Sequence, residues 1–309
     1  MRVLILLLAL ASLAAAPAPE IPVETYTLDN GLTVILSRDD RLPVVAVELR
    51  YLVGSAHEPK GRSGFAHLFE HLMFQGSKSF DDEYFKPFAP IGGMVNGTTN
   101  TDRTNYYERV PKGYLELALW MESDRMAGLP DVLTQAKLDN QRDVVKNERR
   151  QRYENTPYGL FWKHVQHELH PEGHPYHHTT IGSHEDLTAA SLADVKGFFR
   201  QYYAPANAVL TIVGDFEPDA TKALVARYFG PLPAGERAPT PQAALPSPTA
   251  KHLKTTDDVK LARVHLAWPT PALYAAGDAE MDILASVLTD GKSSRLYKPL
   301  VYEQKVAKD

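Results

Sequence analysis

The sequence predicts an α+β protein in which helices pack against a sheet. Strand-forming runs rich in Val, Ile, Thr and Tyr, bounded by glycine turns, recur within residues 24–110, and helical segments predominate from residue 112 onward. The chain has 309 residues, 44% hydrophobic and 23% charged, which describes a globular protein with room for two domains. Its net charge of −5 gives no indication of nucleic-acid binding, so we expect no nucleic-acid partner.

The N-terminus has the pattern of a secretory signal peptide. Arg2 is followed by fourteen residues, Val3 to Ala16, with a single polar member, and small residues suited to cleavage follow at 14–18. This run is too short to span a bilayer, although an uncleaved anchor is the alternative. We therefore predict a signal peptide over residues 1–18 and an exported protein, periplasmic or secreted, without stable membrane insertion after cleavage. The chain contains no cysteine, so no disulfides are expected.

Strand signals come first along the chain. Asn30-Gly31 lies between two β-rich runs and predicts a hairpin over residues 24–40, and residues 44–53 predict a further strand. Residues 92–110 predict one strand entered from a glycine turn, whose small polar residues suit an exposed edge. An ordinary polar loop and strand explains that composition equally well.

Helical signals follow, and two more strands are expected among them. The predicted helices cover residues 112–126, 131–153, 185–203, 218–229 and 279–289, and the additional strands cover residues 207–213 and 260–268.

The motif His67-Leu-Phe-Glu-His71 is the main candidate for chemistry. On a helix, positions i, i+3 and i+4 share a face, so His67 and His71 could hold one metal ion, with Glu70 beside them. Two His ligands, a nearby carboxylate base and an open coordination position are what a hydrolytic zinc site requires, and this residue order is the inverted zinc-protease motif. An amphipathic helix with two His facing a polar groove is the plain alternative. We expect the motif helix to be capped near Ser63 and to end at Gly76.

A third ligand would have to come from elsewhere in the chain. On the predicted helix 131–153, Gln141, Val144 or Val145, and Glu148 share one face, and a carboxylate on the inward stripe of a solvated helix is unusual. A salt bridge to a neighbouring Arg explains Glu148 as well as metal ligation does.

A histidine-rich stretch offers a competing metal site. Residues 160–184 contain seven His, but prolines and glycines interrupt the helical pattern and leave most of them on a loop. Surface histidines are the preferred interpretation, and a second metal site is the alternative.

Proline marks a boundary between two parts of the chain. Residues 231–250 contain six prolines and predict a linker. Beyond it a weak repeat appears, because residues 75–79 align with residues 290–294 at an offset of 215. At this offset His67, Glu70 and His71 align with Asp282, Ala285 and Ser286, so the second copy loses the metal motif.

Several segments together resemble the pitrilysin-type, or M16, zinc metallopeptidases. They are Gly64-Phe-Ala-His-Leu-Phe-Glu-His71, Asn96-Gly-Thr-Thr-Asn-Thr-Asp-Arg-Thr-Asn-Tyr106, Gln141-Arg-Asp-Val-Val-Lys-Asn-Glu-Arg-Arg150, Glu154-Asn-Thr-Pro-Tyr-Gly159, Gly173-His-Pro-Tyr176 and Val213-Gly-Asp215.

The resemblance implies a fold and a division of the chain. Each half of such proteins has an antiparallel sheet packed by helices. We therefore expect a complete N-terminal catalytic domain over residues 21–230, the linker over 231–250, and an incomplete C-terminal domain over 251–309.

The resemblance also implies roles for individual residues. His67, His71 and Glu148 would hold one Zn²⁺ per chain, and Glu70 would be the catalytic base. The strand containing Gly93, Val95, Asn96, Gly97 and Thr98 would bind an extended peptide. Many relatives carry Glu where this chain has Gln141, so only a supporting hydrogen bond is expected there.

The implied function is that of a zinc endopeptidase, a hydrolase that cleaves peptides or unfolded segments through a zinc-activated water. Its implied partners are a peptide substrate and a homodimer or heterodimer mate that is a second M16-type subunit. The alternative is a non-catalytic peptide-binding or scaffolding subunit of such an assembly.

Overall fold

The computed structural model describes residues 21–243 and 249–309. The predicted signal peptide and residues 244–248 of the predicted linker lie outside these ranges.

The described residues form one six-stranded sheet in the order β1-β2-β6-β3-β5-β4. Adjacent strands in this sheet run antiparallel, except that β2 and β6 run parallel to each other. The predicted α+β class is therefore confirmed, with one parallel pair that the sequence did not indicate. The strands are β1 (Glu24–Thr27), β2 (Thr33–Arg38), β3 (Val44–Tyr51), β4 (Met94–Thr99), β5 (Thr104–Pro111) and β6 (Ala208–Gly214).

Alternation of side chains decides which face of the sheet packs against the helices. In the antiparallel register of β3 and β6, Val47 lies opposite Ile212 and Leu49 opposite Leu210, and all four side chains are fully buried. Successive residues of a strand point to opposite faces, so their neighbours lie on the more accessible side. The continuous apolar face holds β6 in the middle of the sheet.

The predicted hairpin over residues 24–40 is formed by β1 and β2, and Gly31 in its turn has φ +87°. The single strand predicted over residues 92–110 is wrong, because the chain reverses between β4 and β5. Asn100 makes this turn: its Oδ1 accepts hydrogen bonds from the backbone N–H groups of Asp102 (2.8 Å) and Arg103 (2.9 Å).

Eight α-helices are assigned within the described ranges. They are α1 (Phe65–Leu72), α2 (Leu115–Val132), α3 (Gln135–Arg149), α4 (Phe161–Leu169), α5 (His184–Ala189), α6 (Leu192–Tyr202), α7 (Pro218–Phe229) and α8 (Asp278–Thr289). One π-helical turn, Arg150–Glu154, continues α3.

Two helix predictions need correction. The single helix predicted over residues 185–203 is two helices, because Ser191 and Asp194 form a capping box that begins α6. The motif helix ends at Leu72, short of Gly76, and its N-cap is Gly64. Ser63 instead donates its hydroxyl to Asp186, across the structure.

A buried charge cluster joins α2 to β5. Arg125 Nε donates to Glu122 Oε2 at 2.8 Å, and Arg125 Nη2 lies 3.4 Å from Glu108 Oε1. The guanidinium carbon lies 4.0 Å from the ring centroid of Tyr84 and 4.2 Å from that of Tyr106. Burial, reinforced by the charge of Glu122, raises the pKa of Glu108 well above its usual range. This cluster fixes Tyr106 beneath β4.

The strand predicted over residues 260–268 is wrong, since these residues are assigned to no strand and pair with no other described strand. Four large apolar side chains of this stretch are exposed: Leu261, Val264, Leu266 and Trp268. Hydrogen bonds attach the segment to the first part of the chain, where Tyr158 N–H donates to Asp257 (2.8 Å) and its hydroxyl to the Leu261 carbonyl (2.7 Å).

Within residues 21–243 and 249–309, no helix combines the length and the apolar character needed to cross a bilayer.

Candidate metal centre

Helix α1 is held by its apolar residues and turns its polar face to α3. Its buried apolar side chains include Leu68, Phe69 and Leu72. The centroid of the Phe69 ring lies 4.5 Å from that of Tyr203, the residue directly after α6. The opposite side carries His67 and His71, whose ring centroids are 4.8 Å apart with planes at 75°. Spacing by one helical turn thus places two imidazoles side by side, as the sequence predicted.

Glu148, in the last turn of α3, faces both imidazoles. Its Oε2 lies 3.2 Å from Nε2 of His71 and 3.8 Å from Nε2 of His67. One ligand atom from each of the three residues lies within 4.8 Å of the others, and no other group of three or more His, Cys, Asp or Glu in the described part of the chain has this geometry.

The two separations between Glu148 and the imidazoles fit a tetrahedral zinc ion. Ligand atoms about 2.0–2.2 Å from such an ion lie about 3.3–3.6 Å from one another, close to the two Glu148 distances. Burial, together with the charge of His71, lowers the pKa of His67 to about 4. Its imidazole is therefore neutral at neutral pH, and the neutral form is the one that binds metals. The donor set and its protonation thus suit zinc.

The two oxygens of Glu148 have different partners. Arg152, one turn further along the chain, contacts Oε1 at 2.8 Å, and this leaves Oε2 directed at the imidazoles. The hydrogen bond with His71 is the largest contribution that lowers the pKa of Glu148, opposed by partial burial. Arg152 therefore fixes which carboxylate oxygen faces the candidate metal position.

Glu70 lies on the same face of α1 and is not one of the three grouped donors. Its Oε2 accepts a hydrogen bond of 2.5 Å from the hydroxyl of Thr99, at the end of β4. Burial raises the pKa of Glu70, and the Thr99 hydrogen bond opposes this effect. The result is a carboxylate of fixed orientation with increased proton affinity beside the His pair.

A cavity of about 510 Å³ opens over these residues. Its floor carries His67, His71, Glu148 and Glu70, and one wall is formed by Asn96, Gly97 and Thr98 of β4; it is completed by Phe74, Gln75, Phe85, Gln141 and Arg152. Strand β4 is an outer strand of the sheet, so one of its sides has no described strand beside it.

The other sequence-predicted residues lie around this cavity or outside it. Gly93 and Val95 do not line the cavity, and Gly93 packs against Phe88 instead. Gln141 is buried at the wall, where its Nε2 donates to Asn140 Oδ1 at 2.8 Å. On α3 the inward face contains Val145, which is fully buried, whereas Val144 is exposed.

The histidine-rich stretch makes stacked pairs. The rings of His167 and His177 lie 4.2 Å apart, and those of His170 and His174 lie 4.5 Å apart. None of them belongs to a group of three metal-ligating residues in the described ranges. Surface histidines therefore stay the preferred interpretation of this stretch.

Sequence models of known families match most of the chain. The model described as Insulinase (Peptidase family M16) matches residues 33–177, and the model described as Peptidase M16 inactive domain matches residues 189–309. The chain belongs to peptidase family M16. The four candidate site residues, His67, Glu70, His71 and Glu148, lie within the match to residues 33–177.

Individual M16 relatives agree with this assignment. Over 290 residues the chain is 32% identical to the zinc protease PqqE of Helicobacter pylori, covering 92% of this chain and 65% of the relative. It is 24% identical over 268 residues to the probable mitochondrial-processing peptidase subunit beta of Schizosaccharomyces pombe, covering 82% of this chain and 57% of the relative. The chain thus spans less than two thirds of either curated relative.

A solved structure shows the same fold. The crystal structure of a protease from Helicobacter pylori superposes with a TM-score of 0.79 at 31% identity, covering 92% of this chain and 69% of that one.

Sequence reasoning missed three contributors to this M16 site. Arg152 follows Glu148 by four residues, so helical spacing alone could have indicated the ion pair. Thr99 ends the strand that the resemblance implies for peptide binding, but the sequence does not indicate its hydrogen bond to Glu70. Phe85 stacks on Phe74 at 4.9 Å, and no local pattern distinguishes it from other aromatic residues.

Proposed function

We propose that this M16 chain is a zinc-dependent endopeptidase that hydrolyses peptides or unfolded segments. His67, His71 and Glu148 would hold one Zn²⁺, and Glu70 would be the general base. The observation that carries the proposal is the convergence of three ligand atoms within 4.8 Å, with the partly buried carboxylate of Glu70 on the same helix face.

A bound zinc ion would act as a Lewis acid that polarises a peptide carbonyl and makes a water molecule more acidic. Glu70 would accept a proton from a water molecule while the water oxygen forms a bond to the carbonyl carbon. Glu70 would then return that proton to the amine nitrogen as the C–N bond breaks. Its raised pKa suits both steps, because the same carboxylate must take up a proton and release it.

The proposed substrate-binding edge is β4 with the residue before it: Gly93, Val95, Asn96, Gly97 and Thr98. An extended peptide could add to this outer strand by main-chain hydrogen bonds, which would place its backbone along the cavity wall. Such binding requires an unfolded segment.

We also propose that the chain is exported through the signal peptide over residues 1–18 and that it pairs with a second M16-type subunit. One relative is itself named a subunit.

We also propose that the chain is divided into two domains joined by a linker. The catalytic domain would cover residues 21–230, the linker residues 231–250, and an incomplete second domain residues 251–309. All four proposed site residues then lie in the first domain.

The second candidate function is a non-catalytic peptide-binding or scaffolding subunit. The observation in its favour is the match of residues 189–309 to a domain model described as inactive. That match begins beyond Glu148, whereas the proposed site lies entirely within the other one. The endopeptidase is therefore the better-supported candidate.

Metal removal separates the two candidates. The purified chain is expected to contain one zinc and to cleave an unstructured peptide, to lose cleavage on chelation, and to regain it when Zn²⁺ is restored. Mg²⁺, which prefers oxygen ligands, serves as the control and should not restore cleavage. Zinc binding without any cleavage would identify the scaffolding subunit.

Gly97 offers a second test through its closeness to Glu70. A Cβ at this position would lie 3.2 Å from Glu70 Cγ, 3.2 Å from Phe74 Cζ and 3.1 Å from Tyr106 Cδ1. Gly97→Ala is therefore expected to displace Glu70 and to lower kcat/KM about tenfold to a hundredfold, with zinc content unchanged. The matched control is Gly113→Ala, where a Cβ meets nothing within 4 Å. Equal activity in both variants would contradict the assigned role of Glu70.

A further inference from the structure

Helix α1, which carries His67 and His71, has no side-chain cap at its first turn. Its N-cap is Gly64, which has φ +92° and no side chain that could accept a hydrogen bond. The first backbone N–H groups of a helix have no partner inside the helix, so they need acceptors from elsewhere.

Glu58 supplies these acceptors from the loop that precedes α1. Its Oε2 accepts from Gly64 N–H at 2.9 Å, and its Oε1 accepts from Ala66 N–H at 2.7 Å. The Glu58 side chain is completely buried. A negative charge at a helix N-terminus is favourable, and here it lies immediately before His67.

His178 holds this carboxylate in place. Its Nε2 lies 2.8 Å from Glu58 Oε2 and 3.0 Å from the carbonyl oxygen of Ser55. A backbone carbonyl can only accept, so His178 Nε2 carries the proton and donates. Burial by itself lowers the pKa of His178, but the hydrogen bond and charge of Glu58, with a smaller contribution from Asp186, outweigh burial and raise it.

The segment that begins with His178 also contacts both α1 and α3. We call residues 178–186, a loop together with the first turn of α5, the clamp loop. Asp186 Oδ2 accepts from Ser63 N–H (2.9 Å) and from its hydroxyl (2.5 Å), just before α1. On the other side, Arg149, which follows Glu148 in α3, donates through Nη1 to the carbonyl of Gly182.

Close backbone packing makes this arrangement rigid. Gly182 has φ +75°, and a Cβ there would lie 2.3 Å from the Ser63 carbonyl oxygen and 2.5 Å from Gly64 Cα. The clamp loop therefore lies directly against the first turn of α1, and its position sets the distance between α1 and the end of α3.

We propose that Glu58 and His178 are positioning residues for the metal centre: together they fix the first turn of α1 so that His67 and His71 meet Glu148. This inference rests on the proposed function, since it assumes that these three residues bind zinc. Neither Glu58 nor His178 lies among the metal donors or the cavity-lining residues, so their effect would reach the site through α1.

The test measures zinc affinity of the full chain by chelator competition, without a peptidase assay. Glu58→Gln retains the shape but turns one acceptor into a donor, and His178→Ala removes the donor. Each is expected to weaken Zn²⁺ binding about tenfold or more, within the range found when support of a ligand is lost. His178→Gln, whose amide can still donate, should recover most of the affinity.

Glu172→Gln is the matched control, because Glu172 is an exposed carboxylate that pairs with Lys60 at 2.8 Å on the surface. It should bind zinc within twofold of the wild type. If Glu58→Gln fails to fold, the comparison of His178→Ala with His178→Gln decides. Folded variants of Glu58 and His178 with wild-type zinc affinity would overturn the proposal.

Hydrogen exchange in the zinc-free protein separates this inference from the proposed function. Amides of the first turn of α1 should exchange faster in Glu58→Gln and His178→Ala than in the wild type. A wild-type chain that binds no zinc would contradict the proposed function. Faster exchange in the Glu58 and His178 variants would still show that these two residues position the first turn of α1. Unchanged exchange in these variants would contradict that positioning role as well.

Discussion

Replacing Glu70 with glutamine is expected to remove peptide hydrolysis while leaving one zinc per chain. Glutamine keeps the shape of the side chain and can still accept the hydrogen bond from Thr99, but it cannot take a proton from water. General-base catalysis contributes about 10²–10⁴-fold, so kcat should fall by about that factor. The measurements are kcat on an unstructured peptide and zinc content per chain.

Glu83→Gln is a suitable control for this experiment. This substitution makes the same chemical change as Glu70→Gln, but at an exposed position between α1 and β4. It should leave kcat unaltered. Near-normal hydrolysis by Glu70→Gln would mean that another group accepts the proton, and the role assigned to Glu70 would be wrong. Loss of zinc together with activity would instead show that Glu70 supports the metal.

Replacing Glu148 with alanine is expected to prevent stoichiometric zinc binding and thereby to abolish hydrolysis. The carboxylate contributes the only oxygen among the three grouped donors, and two imidazoles alone form an incomplete site. Loss of a supporting residue costs about 10–100-fold in metal affinity, so loss of a direct ligand should cost at least the upper end of that range. His71→Ala should behave alike.

Asp143→Ala provides the comparison, since Asp143 is an exposed carboxylate on the same helix, α3. It should retain one zinc and full activity. Chelator competition gives the affinity, and circular dichroism shows whether α3 remains helical. Full zinc occupancy in a folded Glu148→Ala variant would assign the third ligand to another residue.

The sequence predicted the close-range part of the site correctly because helical periodicity fixes it. His67, Glu70 and His71 needed only the spacing of one helix to share a face. Glu148 lies 77 residues after His71, and its sequence pattern alone left a salt bridge equally plausible. In the structure it faces two imidazoles and also pairs with Arg152, and its role as a metal ligand stays a prediction.

Errors arose where contacts distant in sequence decide the local structure. Ser63 has the chemistry of an N-cap, yet its hydroxyl bonds Asp186, and Glu58 satisfies α1 instead. Residues 260–268 alternate like a strand, but a strand requires a partner, and the described chain gives them none. Residues 100–103 reverse direction through side-chain hydrogen bonds of Asn100 that strand propensity does not include.

The parallel pairing of β2 with β6 has a consequence for how the molecule is made. β6 begins at Ala208 but occupies the gap between β2 and β3, which end before residue 52. A nascent chain shorter than about 210 residues therefore lacks the strand that joins β2 to β3, although all three proposed zinc ligands have already been synthesised. Contacts of such long sequence separation slow folding, and they place closure of the sheet after synthesis of every proposed catalytic group.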